Sequence, residues 1–218
     1  MMLKDSKSPK TKVTFSLDRC KALADGIFAI AVTLLVLGID VPTNHRFSEQ
    51  GLFSFLDRIS FDMLIYAISF WLAGTYWVQH AAIMRYFKHG SRGLIWLNLL
   101  FLFFITLLPF VTELKGDYRL EPLVTMLFAI VQILIGLALI ALWRYAVSHP
   151  HLLNYPVEEM IQRRVTWRMI VSPIIMSIIA VPLSFYNVHL GSFFFLIIPL
   201  YYLSHHAMDQ NWSDIEMR

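Results

Sequence analysis

Residues 19–40 read Arg19-Cys-Lys-Ala-Leu-Ala-Asp25-Gly-Ile-Phe-Ala-Ile-Ala-Val-Thr-Leu-Leu-Val-Leu-Gly-Ile-Asp40, an apolar run with an Arg and an Asp at its start. Only residues 26–39 lie between the two aspartates, and a helix needs about 20 residues to cross the hydrocarbon. Asp25 is therefore predicted to lie within the membrane. Ionisable groups at that depth cost roughly 2.5–3.5 kcal/mol each, so they usually face protein or water. One side of this first helix is predicted not to face lipid.

Composition assigns the chain to the membrane class. Of its 218 residues, 57% are hydrophobic and 15% are charged, whereas soluble domains carry about 25% charged residues. The mean hydropathy is +0.60. The lone cysteine, Cys20, excludes an internal disulfide and a cysteine-based metal cluster. We therefore expect an integral membrane protein.

The hydrophobic runs predict an all-α, polytopic protein with six transmembrane helices. They cover about residues 18–39, 58–80, 94–113, 121–146, 167–186 and 188–207. Almost nothing separates the last two runs, which predicts a tight hairpin. The chain is thus divided into a cytoplasmic N-terminal tail (1–14), a six-helix transmembrane domain (15–207) and a cytoplasmic C-terminal tail (208–218).

The distribution of Lys and Arg predicts that both termini are cytoplasmic, because cytoplasmic loops carry an excess of these residues. With the N-terminus inside, the inner side holds Lys4, Lys7, Lys10, Lys12, Arg19, Lys21, Arg85, Lys88, Arg92, Arg144, Arg163, Arg164, Arg168 and Arg218. The outer side holds only Arg46, Arg58, Lys115 and Arg119. This asymmetry accounts for the net charge of +3 without a nucleic-acid partner.

One face of the first helix carries Ile30, Thr33, Leu34 and Leu37, which follow the i, i+3, i+4, i+7 spacing of neighbours on a helix. Such a face can be an ordinary stripe of the helix–helix core, and periodicity alone favours that interpretation. Thr33 is equally ambiguous, because Thr commonly hydrogen-bonds a carbonyl of its own helix.

The polar residues at membrane depth predict a cluster. Arg19 and Asp25 are six residues apart and point about 120° from each other on a helix, so each needs a separate partner or water. With the N-terminus inside, His80 and Asn98 lie toward the same cytoplasmic half. We therefore expect a buried polar cluster that ties the first three helices together. A competing interpretation makes Asp25 an N-cap before Gly26, but the remaining helix is then too short to span.

At these residues the chain resembles the potassium channels of the transmembrane protein 175 type. Their first helix carries Arg-x-x-x-Phe-Ser-Asp followed by Gly-Val-Phe-Ala-Ile-Ala-x-Thr-Leu-Leu-Val-Leu. The matching positions are Arg19, Asp25, Gly26, Phe28, Ala29, Ile30, Ala31, Thr33, Leu34, Leu35, Val36 and Leu37. The Trp77-x-x-His80 pair and the run from Trp96 through Asn98 to Phe110 also look like the family's. The family's Phe-Ser is replaced here by Leu23-Ala24, beside Asp25.

The resemblance implies a non-enzymatic potassium channel without a Gly-Tyr-Gly filter, in which the first helices of a homotetramer line the pore. Ile30, Leu34 and Leu37 would then form apolar constriction rings, with the Thr33 hydroxyl beside Ile30. It implies no cofactor: K⁺ is the permeant ion, and the other partners are the lipid bilayer and further copies of the chain. It also implies a prokaryotic plasma membrane. A ring of branched side chains coordinates nothing, so we expect only modest selectivity for K⁺ over Na⁺.

Two other functional classes compete with the channel. A secondary transporter would use the Arg19, Asp25 and His80 cluster, since transporters place ionisable residues near the midplane. The second half of the chain has no counterpart of the Arg-to-Asp segment, so an internal repeat is not evident. An intramembrane enzyme is less favoured, because no hydrolase or metalloprotease motif occurs. A metal site at His205, His206 and Asp209 is also disfavoured, since adjacent histidines diverge by about 100° on a helix.

Overall fold

The computed structural model describes residues 16–39, 49–118 and 120–198, which are almost entirely helical. This part of the chain forms eight α-helices: α1 Leu17–Leu37, α2 Glu49–Tyr86, α3 Arg92–Thr106, α4 Leu108–Asp117, α5 Pro122–Ser148, α6 Glu159–Ile170, α7 Met176–Tyr186 and α8 Val188–Phe194. A 3-10 turn, Pro150–Leu152, follows α5, and a π-helical turn, Val171–Ile175, joins α6 to α7.

Five stretches within the described residues are long and apolar enough to cross a membrane. They are Leu17–Leu37, Ile59–Tyr86, Arg92–Asp117, Pro122–Ser148 and Glu159–Tyr186. They correspond to the first five predicted spans, and the prediction of an all-α, multi-span protein is confirmed. The predicted tails, residues 1–14 and 208–218, lie outside the described residues.

Asn187 alone connects the two helices of the predicted hairpin between the last two spans. The Asn187 side chain accepts hydrogen bonds from the backbone N–H groups of His189 and Leu190, at 3.0 and 3.3 Å, and so caps α8. α8 covers the start of the sixth predicted span. Residues 199–207 of that span lie outside the described residues.

The third predicted helix, residues 94–113, is two helices in the structure. Pro109 has no N–H group with which to bond the carbonyl of Ile105. The chain instead tightens at Leu107, whose N–H donates to the Phe104 carbonyl at 3.2 Å, and α4 begins at the next residue. α3 and α4 together still provide one membrane-length stretch, so the span is correct and the uninterrupted helix is wrong.

α5 is the centre of the bundle and α1 lies at its edge. α5 packs against α2, α3, α4, α6, α7 and α8, and its face with Ile135, Leu139 and Leu142 is fully buried. α1 packs against α2, α3 and α4. Because these neighbours lie on one side of α1, the other side of this apolar helix is left exposed.

The α7–α8 hairpin depends on a close approach of two backbones. A Cβ atom placed on Gly191 would lie 2.8 Å from Ser184 Cα and 2.9 Å from the Ala180 carbonyl oxygen. Both are backbone atoms, so a side chain at Gly191 would push the two helices apart.

We expect Gly191→Ala to lower stability by about 1–3 kcal/mol, the usual cost of overpacking. Gly74→Ala is the matched control, because a Cβ at Gly74 would meet no atom within 4 Å and Ala favours the helix. Thermal unfolding of the detergent-solubilised protein measures both. A melting temperature for Gly191→Ala equal to that of Gly74→Ala would contradict the close approach.

Candidate functional site

The two long faces of α1 have opposite environments. Ala24, Phe28, Ala31 and Leu35 are buried and recur every three or four residues, so they form the face that packs into the bundle. The face predicted from sequence is exposed: Ile30 is 61% and Leu37 is 73% accessible, and Thr33 and Leu34 are exposed as well. Among the described residues, the predicted face therefore lies outside the buried core.

The exposed face continues toward the N-terminus of α1. Arg19, Leu23 and Gly26 are exposed and precede Ile30 at spacings of four, three and four residues. We call the exposed row of Arg19, Leu23, Gly26, Ile30, Thr33, Leu34 and Leu37 the α1 stripe. A repeat of four and three residues keeps side chains on one seam between packed helices. The stripe therefore has the spacing of a seam between packed helices, as the buried face does.

The hydroxyl of Thr33 is oriented by its own helix. Thr33 Oγ1 lies 3.0 Å from the Ala29 carbonyl oxygen and 2.9 Å from the Ile30 carbonyl oxygen, and it donates its proton to them. The lone pairs of the hydroxyl oxygen are then available on the exposed side. An oxygen in that state can interact with a cation.

Asp25 lies on a different side of α1 and joins that helix to α2. The indole Nε1–H of Trp77 donates to Asp25 Oδ1 at 2.8 Å, and both side chains are exposed. This hydrogen bond gives the carboxylate a neutral donor.

A second pair joins α2 to α3 in a fully buried position. His80 Nε2 and Asn98 Oδ1 are 2.7 Å apart, and the two residues are 3% and 1% exposed. The His80 ring stacks on Phe101 with centroids 5.1 Å apart. Phe28 of α1 packs against both rings, at 6.4 and 5.9 Å between centroids. The polar pair therefore forms part of the surface on which α1 rests.

The residues of the predicted polar cluster are thus distributed over two hydrogen-bonded pairs. Arg19 is the exception: its side chain is exposed on the α1 stripe and, within the described residues, makes no contact with Asp25, His80 or Asn98. The cause is rotation along the helix, because Arg19 lies about 20° from Ile30 but about 120° from Asp25. The two positions at which the chain departs from the family signature have different environments: Leu23 lies on the α1 stripe, and Ala24 is buried.

Sequence reasoning missed a buried lysine. The count of basic residues places Lys115 among the charges of the outer side. In the structure Lys115 is 3% exposed, and its Nζ donates to Thr125 Oγ1 of α5 at 2.5 Å. Its position is seven residues after buried Leu108 and three after buried Thr112, so it belongs to the inward face of α4. That periodicity is the signal that could have found it.

Metal ligation is not indicated in the described part of the chain. No three His, Cys, Asp or Glu residues within it are close enough to hold a metal ion. The triad His205, His206 and Asp209 lies outside the described residues.

Comparison with known proteins identifies relatives of this arrangement. Residues 19–109 match the family described as the endosomal/lysosomal potassium channel TMEM175. A potassium channel of Streptomyces collinus is 32% identical over 144 residues, which are 64% of this chain and 69% of that protein. A potassium channel of Chamaesiphon minutus is 31% identical over 144 residues, 65% of this chain and 71% of that protein.

A solved structure and a longer relative extend the comparison. The crystal structure of a lysosomal potassium-selective channel TMEM175 homolog from Chamaesiphon minutus superposes with a TM-score of 0.73 at 28% identity, covering 86% of this chain and 96% of that one. The chicken protein named endosomal/lysosomal proton channel TMEM175 is 26% identical over 85% of this chain but only 36% of its own length.

The buried pair provides a test of the site's architecture. We expect Asn98→Leu to lower stability by about 1–3 kcal/mol, because it leaves the buried His80 ring nitrogen without its partner. Adding His80→Phe should recover part of that loss, since the orphaned group is then removed. The readout is the melting temperature of the purified protein.

Thr106→Val on the same helix is the control, because Thr106 is exposed and bonds only the Phe103 carbonyl of α3. An Asn98→Leu variant as stable as Thr106→Val would show that the His80–Asn98 contact does not hold α2 and α3 together.

Proposed function

The chain belongs to the TMEM175 family, and we propose on that basis that it is a potassium-permeable cation channel of the membrane. Its bacterial relatives are named potassium channels, and none of the names given above is that of an enzyme. The observation that carries the proposal is the α1 stripe. A membrane-length helix buries one face in its own subunit, and the other face, with Ile30, Leu34 and Leu37, is exposed within the described part of that subunit.

The proposed assembly is a homotetramer with α1 at its axis. One subunit supplies one such helix, and a closed pathway needs several copies around it. The composition of the stripe supports an axial position over a lipid-facing one, because it includes Arg19, Gly26 and the Thr33 hydroxyl. Polar side chains within a membrane favour protein or water as neighbours. The four-three spacing is compatible with packing of this face against another helix.

The proposed constriction is formed by the apolar part of the stripe. Rings of Ile30, Leu34 and Leu37 would narrow the axis until water leaves, which gives a gate by dewetting. Such rings offer no ligand to an ion. Selectivity then follows from the cost of partial dehydration, and Na⁺ holds its water more strongly than K⁺. K⁺ is therefore preferred, but modestly. The Thr33 lone pairs lie between the Ile30 and Leu34 rings and can ease the passage of a partly dehydrated cation.

The polar pairs would hold α1 at the axis rather than contact the ion. Asp25 accepts from Trp77 of α2, and Phe28 packs on the His80–Phe101 stack. These contacts are on the sides of α1 away from the stripe. Arg19 is different, because it continues the stripe, and we place four Arg19 side chains at the mouth of the pore. That mouth is cytoplasmic if both termini are inside, as the count of basic residues favours.

The first test separates the channel from a secondary transporter that would use Arg19, Asp25 and His80. In proteoliposomes with a K⁺/Na⁺ gradient, a channel gives a reversal potential displaced toward the K⁺ equilibrium value without any second ion. If K⁺ moves only when a second ion moves with it or against it, and no current flows without that ion, the channel is refuted. A proton gradient imposed in the absence of K⁺ and Na⁺ tests proton permeation, the property for which the chicken relative is named.

The second test concerns the constriction. We expect Ile30→Asn to raise conductance and to raise the permeability of Na⁺ relative to K⁺, on the order of several-fold, because the amide keeps water in the narrow segment. Val36→Asn is the matched control: Val36 is an exposed residue of the same helix, about 120° from Ile30. If both variants change the permeability ratio equally, or neither does, Ile30 does not line the pore.

A further inference from the structure

A cleft of about 490 Å³ lies at the end of the bundle where α1 begins. Its volume is within the roughly 300–1,000 Å³ typical of small-ligand pockets, and far above the space of one water molecule. Its walls come from the first turns of α1, from the loop between α2 and α3, and from Asn154 after α5. The cleft therefore connects the proposed pore helix to two other parts of the subunit.

Two lysines and a histidine are among the eight described residues that line the cleft. Lys21 of α1 and Lys88 and His89 of the α2–α3 loop line it, and they come from separate elements. Among the described residues that line it, Asp18 is the one carboxylate. Neither lysine amine has a hydrogen-bond or ion-pair partner in the described ranges 16–39, 49–118 and 120–198. Two lysines from separate elements thus line one cleft, and their amines make no such bond within those ranges.

The loop that carries Lys88 is held in place by main-chain contacts. Lys88 N–H donates to the Leu152 carbonyl at 2.7 Å, and Asn154 N–H donates to the Tyr86 carbonyl at 2.9 Å. The Asn154 amide also donates to the carbonyls of Arg85 and Phe87, at 3.2 and 3.3 Å. A fixed loop loses little conformational freedom when a ligand binds, which favours a site over a mobile surface charge.

Membrane topology alone does not explain this placement. The positive-inside rule is satisfied by Lys or Arg anywhere near the helix ends. It does not require that two lysines from different elements line one concavity. A cleft at the bundle end that is lined by two lysines and a histidine instead has the chemistry that suits a phosphate group.

We propose that this cleft binds a phosphate group, from the head group of an anionic phospholipid or from free inorganic phosphate. Lys21 and Lys88 donate to the phosphate oxygens, and Asp18 limits the affinity by repulsion. Because Lys21 is on α1 and Lys88 is on the α2–α3 loop, the bound phosphate joins the start of α1 to that loop. The site does not depend on the channel proposal, and binding is measurable without ion flux.

The experiment titrates the full-length protein in detergent with phosphatidylglycerol or with phosphatidylcholine and follows the melting temperature by tryptophan fluorescence. We expect a saturable rise with phosphatidylglycerol only. Lys21→Gln and Lys88→Gln should each weaken the apparent affinity about fivefold. Asp18→Asn should strengthen it, a gain that a misfolded variant would not give.

The control is Arg163→Gln, which removes one positive charge from an exposed position on α6, outside the cleft. If it weakens binding as much as Lys21→Gln and Lys88→Gln do, the effect is one of general charge and the site is refuted. A separate arm replaces chloride by inorganic phosphate at equal ionic strength without lipid. A saturable rise there identifies free phosphate as the ligand, and a rise with phosphatidylglycerol alone identifies the lipid. No rise in either arm overturns the proposal.

Discussion

The buried hydrogen bond between His80 and Asn98 is the interaction on which the position of α1 depends. A polar group without a partner costs several kcal/mol in a hydrocarbon environment, so the two side chains fix the register of α2 against α3. In that register the His80 ring lies on Phe101. The stacked rings then provide the surface for Phe28, and Ala24 and Ala31 allow the α1 backbone to come close. Because α1 rests on this surface through one face, its other face stays exposed.

Hydrogen-bonded polar pairs between α2 and its neighbours recur along that helix. Ser69, Tyr76 and His80 are spaced by seven and four residues and so lie on one side of that helix. Ser69 bonds Thr112 of α4 at 2.8 Å, Tyr76 bonds Gln132 of α5 at 2.5 Å, and His80 bonds Asn98 of α3. Hydrophobic burial does not drive helices together within lipid, so polar pairs of about 0.6–2 kcal/mol each and close packing do. α2 is therefore the helix that sets the order of its neighbours.

Much of this architecture follows from the sequence, and the exceptions have identifiable causes. Hydropathy locates the first five spans, since the length of an apolar run is a local property. It does not show the break between α3 and α4, because the run through Pro109 is continuously apolar and only the missing N–H interrupts the helix. Lys115 was assigned to an outer loop on its charge, yet it is buried because Thr125 of α5 lies opposite it. Counting basic residues does not show which side chain of another helix lies opposite a lysine.

The sequence by itself determined that this chain lies in a membrane, that its first apolar helix carries an Asp, and which residues share a face of that helix. Those properties follow from run length and the 3.6-residue repeat. Only the tertiary structure decided which face is free. Ala24, Phe28 and Ala31 are apolar, and so are Ile30, Leu34 and Leu37, so periodicity cannot tell the core face from the exposed one. The choice is made by the partners of α1: Trp77, His80 and Phe101 occupy the space beside the first set, and Arg19 is thereby turned away from the polar pairs and onto the stripe.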